Sequence, residues 1–324
     1  MKQIRELVVI SGKGGTGKTS VVAAFAALAG GAVLADCDVD AADLHLVLDP
    51  KLGSEHEFSG RRQAVIDAAA CTACGRCAEV CRFAAVLGAA DDTYSIDSIA
   101  CEGCKLCRRV CPADAIHMEP VVNGAWMVSE TRFGPLVHAR LGVAEDNSGK
   151  LVTLVRNEAR RVAEEQGFPL VIVDGSPGIG CPVIASLAGA DLVLAVTEPT
   201  VSGRHDLDRV LHVVRQFRLP FAVCINRADL NFELGAQIAA EASAAGAAFV
   251  ATVDYDPAVT HAQVVGTDVI AYGGRAAAEI TKLWEGVSAS LSPSPSPQGK
   301  VRGAGTVGKA TESEAATTAA AEDG

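Results

Sequence analysis

Short, wholly apolar runs alternate with longer Ala-rich or amphipathic ones along most of this chain. Leu7-Val8-Val9-Ile10 has the length and composition of a buried strand, and residues 20–28 that of a buried helix. The strand signal returns at 32–35, 170–173, 192–196, 221–225 and 248–251. Between these, residues 151–166, 203–216, 232–244 and 275–288 read as helices. Strands without polar alternation are those buried on both faces. The pattern therefore predicts an α/β fold, a mostly parallel sheet with helices on both faces. Residues 56–125 interrupt the alternation, with strand pieces at 57–58 and 64–66 leading into a run of cysteines. Strands resume at 126–128 and over 131–144, with a turn at Gly134-Pro135, and residues 146–150 form a polar turn. From Ser290 the chain turns to Ser-Pro repeats and then Gly, Thr and Ala, which cannot bury a core and predict disorder. The expected division is a discontinuous domain of 1–55 and 126–289, an inserted small α+β domain of 56–125, and a tail of 290–324.

Composition narrows the function. Hydrophobic residues make up 49% of the 324, enough for a sizeable core, which with only 4% aromatics is built from Ala, Val, Leu and Ile. A net charge of −11 argues against nucleic acid as the main partner, since phosphate binding wants clustered Lys and Arg. No apolar run reaches 18 residues and no secretory leader pattern is present, so no membrane span and a cytoplasmic location are expected. Eleven cysteines in such a chain point to metal rather than disulfides.

Chemistry begins at Gly12-Lys13-Gly14-Gly15-Thr16-Gly17-Lys18-Thr19, followed by Ser20, between the first strand and the first helix. Strand, glycine loop and helix form the context of a phosphate-binding P-loop. Its backbone N–H groups point into one concavity and the helix N-terminus adds partial positive charge. Lys18 is placed for the β- and γ-phosphates of ATP and the Thr19 hydroxyl for Mg²⁺. The extra lysine, Lys13, makes the loop resemble the deviant Walker A loop of the MinD/ParA-type ATPases, a family that includes the nitrogenase iron protein. The resemblance implies that Lys13 reaches across a nucleotide-sandwiched dimer to the partner's phosphates. That dimer would be a homodimer, or a heterodimer with a related ATPase. Asp36-Cys37-Asp38-Val39-Asp40 follows the second strand and resembles the family's switch I, although Ala41-Ala42-Asp43-Leu44 departs from its Ala-Pro-Asn-Leu segment. By that alignment Asp38 positions the attacking water, with Asp36 or Asp40 in support. Asp174-Gly175-Ser176-Pro177-Gly178 resembles switch II, which implies Asp174 on a Mg²⁺ water and Gly178 near the γ-phosphate. Asn226-Arg227, after another strand, matches the position from which the family reads adenine. Asp254-Tyr255-Asp256-Pro257 resembles the segment that closes over the base. Cys181 stands at the offset from Asp174 at which the nitrogenase iron protein ligates a bridging cluster, so it is expected near the two-fold axis.

The inserted region carries Cys71-x-x-Cys74-x-x-Cys77-x-x-x-Cys81 and a second copy, Cys101-x-x-Cys104-x-x-Cys107-x-x-x-Cys111-Pro112. This internal duplication resembles the bacterial two-cluster ferredoxin. There the fourth thiolate of each triplet comes from the other copy. The resemblance implies one [4Fe–4S] cluster on Cys71, Cys74, Cys77 and Cys111, and another on Cys101, Cys104, Cys107 and Cys81. Arg82 replaces the expected Pro in the first copy. Paired zinc sites are the alternative, though these usually show CxxC pairs. The function expected is a slow ATPase that couples dimerisation to electron transfer toward a redox partner. The rivals are a carrier or scaffold in iron–sulfur assembly, and a regulatory switch with structural clusters. Neither nucleic acid nor membrane is expected as a partner.

Overall fold

The computed structural model describes residues 4–88, 93–142 and 149–292. Strand β1 (Arg5–Ser11) leads through the glycine loop to α1 (Lys18–Leu28), β2 (Val33–Asp36) and α2 (Leu44–Leu48). Strands β3 (Lys51–Phe58) and β4 (Arg61–Ile66) enter the cysteine region. That region holds α3 (Arg76–Glu79), β5 (Val86–Gly88), β6 (Tyr94–Ile96), α4 (Leu106–Val110) and β7 (Ile116–Val121). The chain returns through β8 (Gly124–Thr131) and β9 (Gly134–Leu141). Alternation then runs α5 (Lys150–Gln166), β10 (Leu170–Pro177), α6 (Cys181–Leu187), β11 (Leu192–Thr197) and α7 (Val201–Gln216). It ends with β12 (Phe221–Asn226), α8 (Phe232–Ala244), β13 (Val250–Val253), α9 (Pro257–Val264), α10 (Val269–Tyr272) and α11 (Arg275–Leu291).

Among the described residues nine strands form one sheet in the order β13-β12-β11-β1-β10-β2-β9-β8-β3. It is parallel from β13 to β9, and β8 and β3 add an antiparallel edge. Val8 and Ile10 of β1 pack on one face with α5, α6 and α7, while Leu7 and Val9 pack on the other with α1 and α11. This two-sided burial is why the parallel strands read as unbroken apolar runs. Among the described residues no helix is long and apolar enough to cross a membrane.

Several elements differ from the sequence expectation. Strand β3 begins at Lys51, and seven of its eight residues are exposed. With almost nothing apolar to bury it has no hydrophobic signature, and it is held by its ladder with β8. The turn between β8 and β9 falls at Arg132-Phe133, two residues early. Helix α11 extends through residues 290 and 291 because Leu291 continues the buried face of Ile280, Leu283 and Val287. The rest of the expected tail, from 293, lies outside the described residues, as do residues 146–148 of the expected polar turn.

The β3–β8 pair continues into the β4–β7 pair as one two-stranded ribbon. It bends at Ser59-Gly60, opposite Val122-Asn123, and so passes through the expected boundaries at 55/56 and 125/126. Buried Asn123 staples the bend: its Oδ1 accepts from Gly60 N at 2.7 Å and its N–H donates to Phe58 O at 2.9 Å. Lys150 Nζ donates to Gly60 O at 2.7 Å, tying α5 to the same point.

Candidate functional site

The glycine loop sits at the C-terminal edge of β1, where ligands of open α/β sheets bind. Gly17 caps α1 at φ 90°, a left-handed conformation, and a Cβ there would stand 2.3 Å from Asn226 Nδ2. Asn226 Nδ2 donates to Thr16 O at 2.8 Å, so the end of β12 holds the loop in shape. Gly12 lies directly against α7, where a Cβ would meet Asp206 at 2.5 Å.

Lys18 is buried and ion-paired to Asp174 Oδ1, with Asp38 Oδ2 at 3.4 Å. Asp36 completes the group from inside, its carboxylate accepting from Asp38 N at 3.2 Å and Leu44 N at 3.3 Å. Burial pulls the Lys18 ammonium toward neutrality, but Asp174 and then Asp38 outweigh it and hold its pKa above the ordinary value. Burial raises Asp36 well above the carboxylate range, with Asp174 adding repulsion. Burial also raises Asp38, against the pull of Lys18. Asp36, Asp38 and Asp174 are thus brought onto the glycine-loop lysine from separate strand ends.

The cleft above them is lined by Gly14, Gly15, Thr19, Ser20, Asp38 and Pro177, among others. Two buried oxygens at this site, Asp174 Oδ2 and Thr16 Oγ1, have no hydrogen-bond partner among the described residues. Leaving such groups unpaired costs about 1–3 kcal/mol each, so the site is built for a donor or cation it does not itself contain. Mg²⁺ and a nucleotide phosphate fit that demand. Gly178 donates its N–H to Ser11 O at 2.9 Å. A neighbouring cavity of about 70 Å³ is lined by Asn226, Arg227, Asp254, Tyr255, Asp256 and Gln263, so the residues expected at the base share one pocket.

Lys13 Nζ lies 3.2 Å from Ser202 Oγ and 3.5 Å from Glu198 Oε2 of the same chain. Glu198 also pairs with Arg227, linking the loop lysine to the base pocket. Sequence reasoning missed Glu198, although a carboxylate at the end of β11 follows the same rule as Asp36 and Asp174. It also missed Gln263 on α9, which lines both cavities and donates to Ser20 Oγ at 2.8 Å. No sequence signal marks that glutamine, since only the packing of α9 brings it there.

The eight insert cysteines divide into two cavities. One is lined by Cys71, Cys74, Cys77 and Cys111. The other is lined by Cys81, Cys101, Cys104 and Cys107. Each triplet therefore meets the fourth cysteine of the other copy. The backbone repeats as well: Ala73 matches Gly103, Gly75 matches Lys105 and Ala84 matches Asp114, all left-handed. Such a conformation costs a non-glycine residue roughly 1–2 kcal/mol. Four of them, at matching positions, are retained where the loops wrap the cavities. Tetrahedral zinc, with Zn–S near 2.3 Å, gathers its four sulfurs onto one point. Among the described residues no three His, Cys, Asp or Glu side chains converge that way. Four-cysteine cradles that enclose a volume instead fit cuboidal clusters.

The remaining cysteines are set apart. Cys37 and Cys224 are fully buried, which raises the Cys37 thiol well above its ordinary value and pushes Cys224 up to about 12. Cys181 is exposed at the start of α6.

Residues 64–118 match the model of a 4Fe–4S dicluster domain. The chain is 35% identical over 232 residues to the Methanocaldococcus jannaschii protein "Uncharacterized protein MJ0578", covering 70% of this chain and 80% of that one. A second protein of that organism, "Uncharacterized protein MJ0579", is 32% identical over 98 residues, 30% of this chain and 35% of its own. Among solved structures, the fold matches the cell division ATPase MinD of Pyrococcus furiosus with a TM-score of 0.53. Identity there is 18%, over 89% of this chain and 99% of that one. It also matches the septum site-determining protein MinD of Pyrococcus horikoshii, complexed with Mg-ADP, with a TM-score of 0.52. That match has 17% identity over 88% and 96% of the two chains.

Proposed function

Because this chain belongs to one family with MJ0578, and joins a MinD/ParA ATPase fold to a 4Fe–4S dicluster domain, we propose that it is an ATP-driven iron–sulfur switch. Its nucleotide state would govern electron transfer through two [4Fe–4S] clusters. The observation that carries this reading is the path from β2 to the insert. Strand β2 ends at Asp36, the following loop carries Asp38 into the phosphate cleft, and α2 runs directly into β3. The β3–β8 ribbon continues into the insert, and β9 joins β8 to β2 in the sheet. A movement of Asp38 toward a γ-phosphate thus pulls on the strands that carry the cysteines.

The roles follow from position. Lys18 and the loop amides hold the phosphates, Thr19 and Asp174 hold Mg²⁺, and Asn226 with Arg227 holds the base. Asp38 orients a water whose oxygen attacks the γ-phosphorus as the bond to the bridging oxygen of ADP breaks. Lys13 leaves Glu198 and Ser202 to reach the partner's phosphates in a dimer. When bound, the clusters supply one-electron redox capacity, and the two cysteine quartets hold them. Cys77 and Cys101, one from each quartet, are buried in the insert's own core, which favours resident clusters over cargo.

Asp38→Ala tests the reading. It is expected to keep ATP binding, lose hydrolysis by about a hundredfold or more, and accumulate a dimer seen by sedimentation. Normal turnover would remove Asp38 from the mechanism. Lys13→Ala should bind ATP as a monomer yet fail to dimerise with a non-hydrolysable analogue. A dimer that forms as in the parent protein would argue against action in trans. Adding that analogue to the parent should shift the cluster midpoint potentials in a redox titration. Potentials that do not move would mean that the nucleotide does not govern the clusters.

A further inference from the structure

We propose that the outward face of α4 is the docking surface for an acidic one-electron carrier protein. This rests on the electron-transfer reading above. Lys105, Arg108 and Arg109 stand at i, i+3 and i+4, so they share one side of α4 and its cap, and all three are exposed. No ion pair among the described residues engages them, whereas Arg5, Arg132, Arg156, Arg204 and Arg275 each have a carboxylate partner. Three adjacent unpaired cations repel one another, and a chain of net charge −11 has no need of them for solubility.

The duplication supplies an internal control. The first copy has Gly75, Ala78 and Glu79 at the three matching positions. Both copies wrap the same kind of cavity with the same backbone, so cluster binding does not require the charges. They belong to the second copy alone. Their segment is also the wall of that copy's cavity, which Cys104, Lys105, Leu106 and Cys107 line. Leu106 is 40% exposed beside them. An apolar spot beside three like charges, next to Cys107 and two residues from Cys104, suits a small, weak redox encounter in which charge steers approach and orientation.

Charge also selects the partner class. Screening confines the patch's attraction to about 8 Å at physiological ionic strength. A long polyanion or an anionic bilayer would extend past it and meet the negative field of the whole chain. A small acidic protein can match the patch alone.

The test uses the full, cluster-loaded chain and a plant-type [2Fe–2S] ferredoxin as the acidic probe, with binding read by calorimetry. Affinity should fall steeply with salt. The variant R108E/R109E should weaken it at least tenfold at low salt, and R108Q/R109Q by an intermediate factor. Cluster absorbance and its bleaching by reduced methyl viologen should match in all three proteins. Equal affinity in parent and charge-reversed protein would overturn the proposal. So would tighter, Arg108-dependent binding of duplex DNA or anionic vesicles than of ferredoxin. If viologen leaves the parent's absorbance unchanged, the electron-transfer reading fails by itself, while calorimetry still reports on the docking face.

Discussion

Replacing Lys18 with Met is expected to abolish ATP binding and to destabilise the fold by about 3–5 kcal/mol near pH 8. The first effect follows from removing the one buried cation that, among the described residues, faces the cleft beside the glycine loop. The second follows because Lys18 is the cation among Asp36, Asp38 and Asp174, and its loss leaves three carboxylates together at one end of the sheet. The size of the loss should depend on pH. Burial already holds the folded pKa values of Asp36 and Asp38 above their ordinary range, and Lys18 is what lowers them. A carboxyl whose folded pKa exceeds its unfolded value binds protons more tightly when folded, so it opposes folding at high pH. That cost disappears as pH falls through the folded value. Without Lys18 both values rise further, so the variant's deficit should shrink between pH 8 and pH 5. Urea unfolding at the two pH values, beside isothermal titration with ATP, measures both parts. A deficit independent of pH would mean that the three carboxylates do not depend on the lysine.

Stripping iron under anaerobic conditions should unfold the insert while leaving the nine-stranded unit intact. The insert's buried core is small: Ala64, Cys77, Ala85, Cys101, Ile116 and Met118, of which two belong to the cysteine quartets. Its sheets are two-stranded pairs, β4–β7 and β5–β6, and such pairs are marginal in water by themselves. Ligation energy is therefore folding energy here, as in other small metal-held domains. Intact protein should carry eight irons with matching sulfide, an expectation that rests on two four-cysteine cavities at four irons each. After chelation, limited proteolysis should cut between 59 and 123 at least about a hundredfold faster, and hydrogen exchange should rise in the same stretch. Sites in β1, β10 and β11 should stay protected. An insert that keeps its protection without iron, or stoichiometric zinc in place of iron, would overturn the cluster assignment.

Local chemistry was legible wherever a short run of residues carries it complete. The glycine loop and the paired cysteine spacings are such runs, because glycine conformation, helix-end charge and thiolate spacing act over a few residues. Unbroken apolar strands announced a two-sided sheet for the same reason. Strand β3 stayed hidden because it is an exposed edge whose stability comes from backbone pairing with β8, and hydrogen bonds to a distant partner leave no pattern of apolar positions. Gln263 and Glu198 stayed unassigned because their meaning lies in what they face, Ser20 in one case and Lys13 with Arg227 in the other.

By itself, then, the sequence determined which groups this protein possesses: a phosphate loop with two lysines, acids at strand ends, and eight cysteines in two matched sets. Tertiary structure decided how they are joined. It set Lys18 between carboxylates from separate strands, parked Lys13 on groups of the same chain, and gathered each cysteine triplet with the fourth thiolate of the other copy. It also ran one ribbon from the sheet edge to the cysteines, because strand pairing is set by register across the sheet and not by neighbours along the chain.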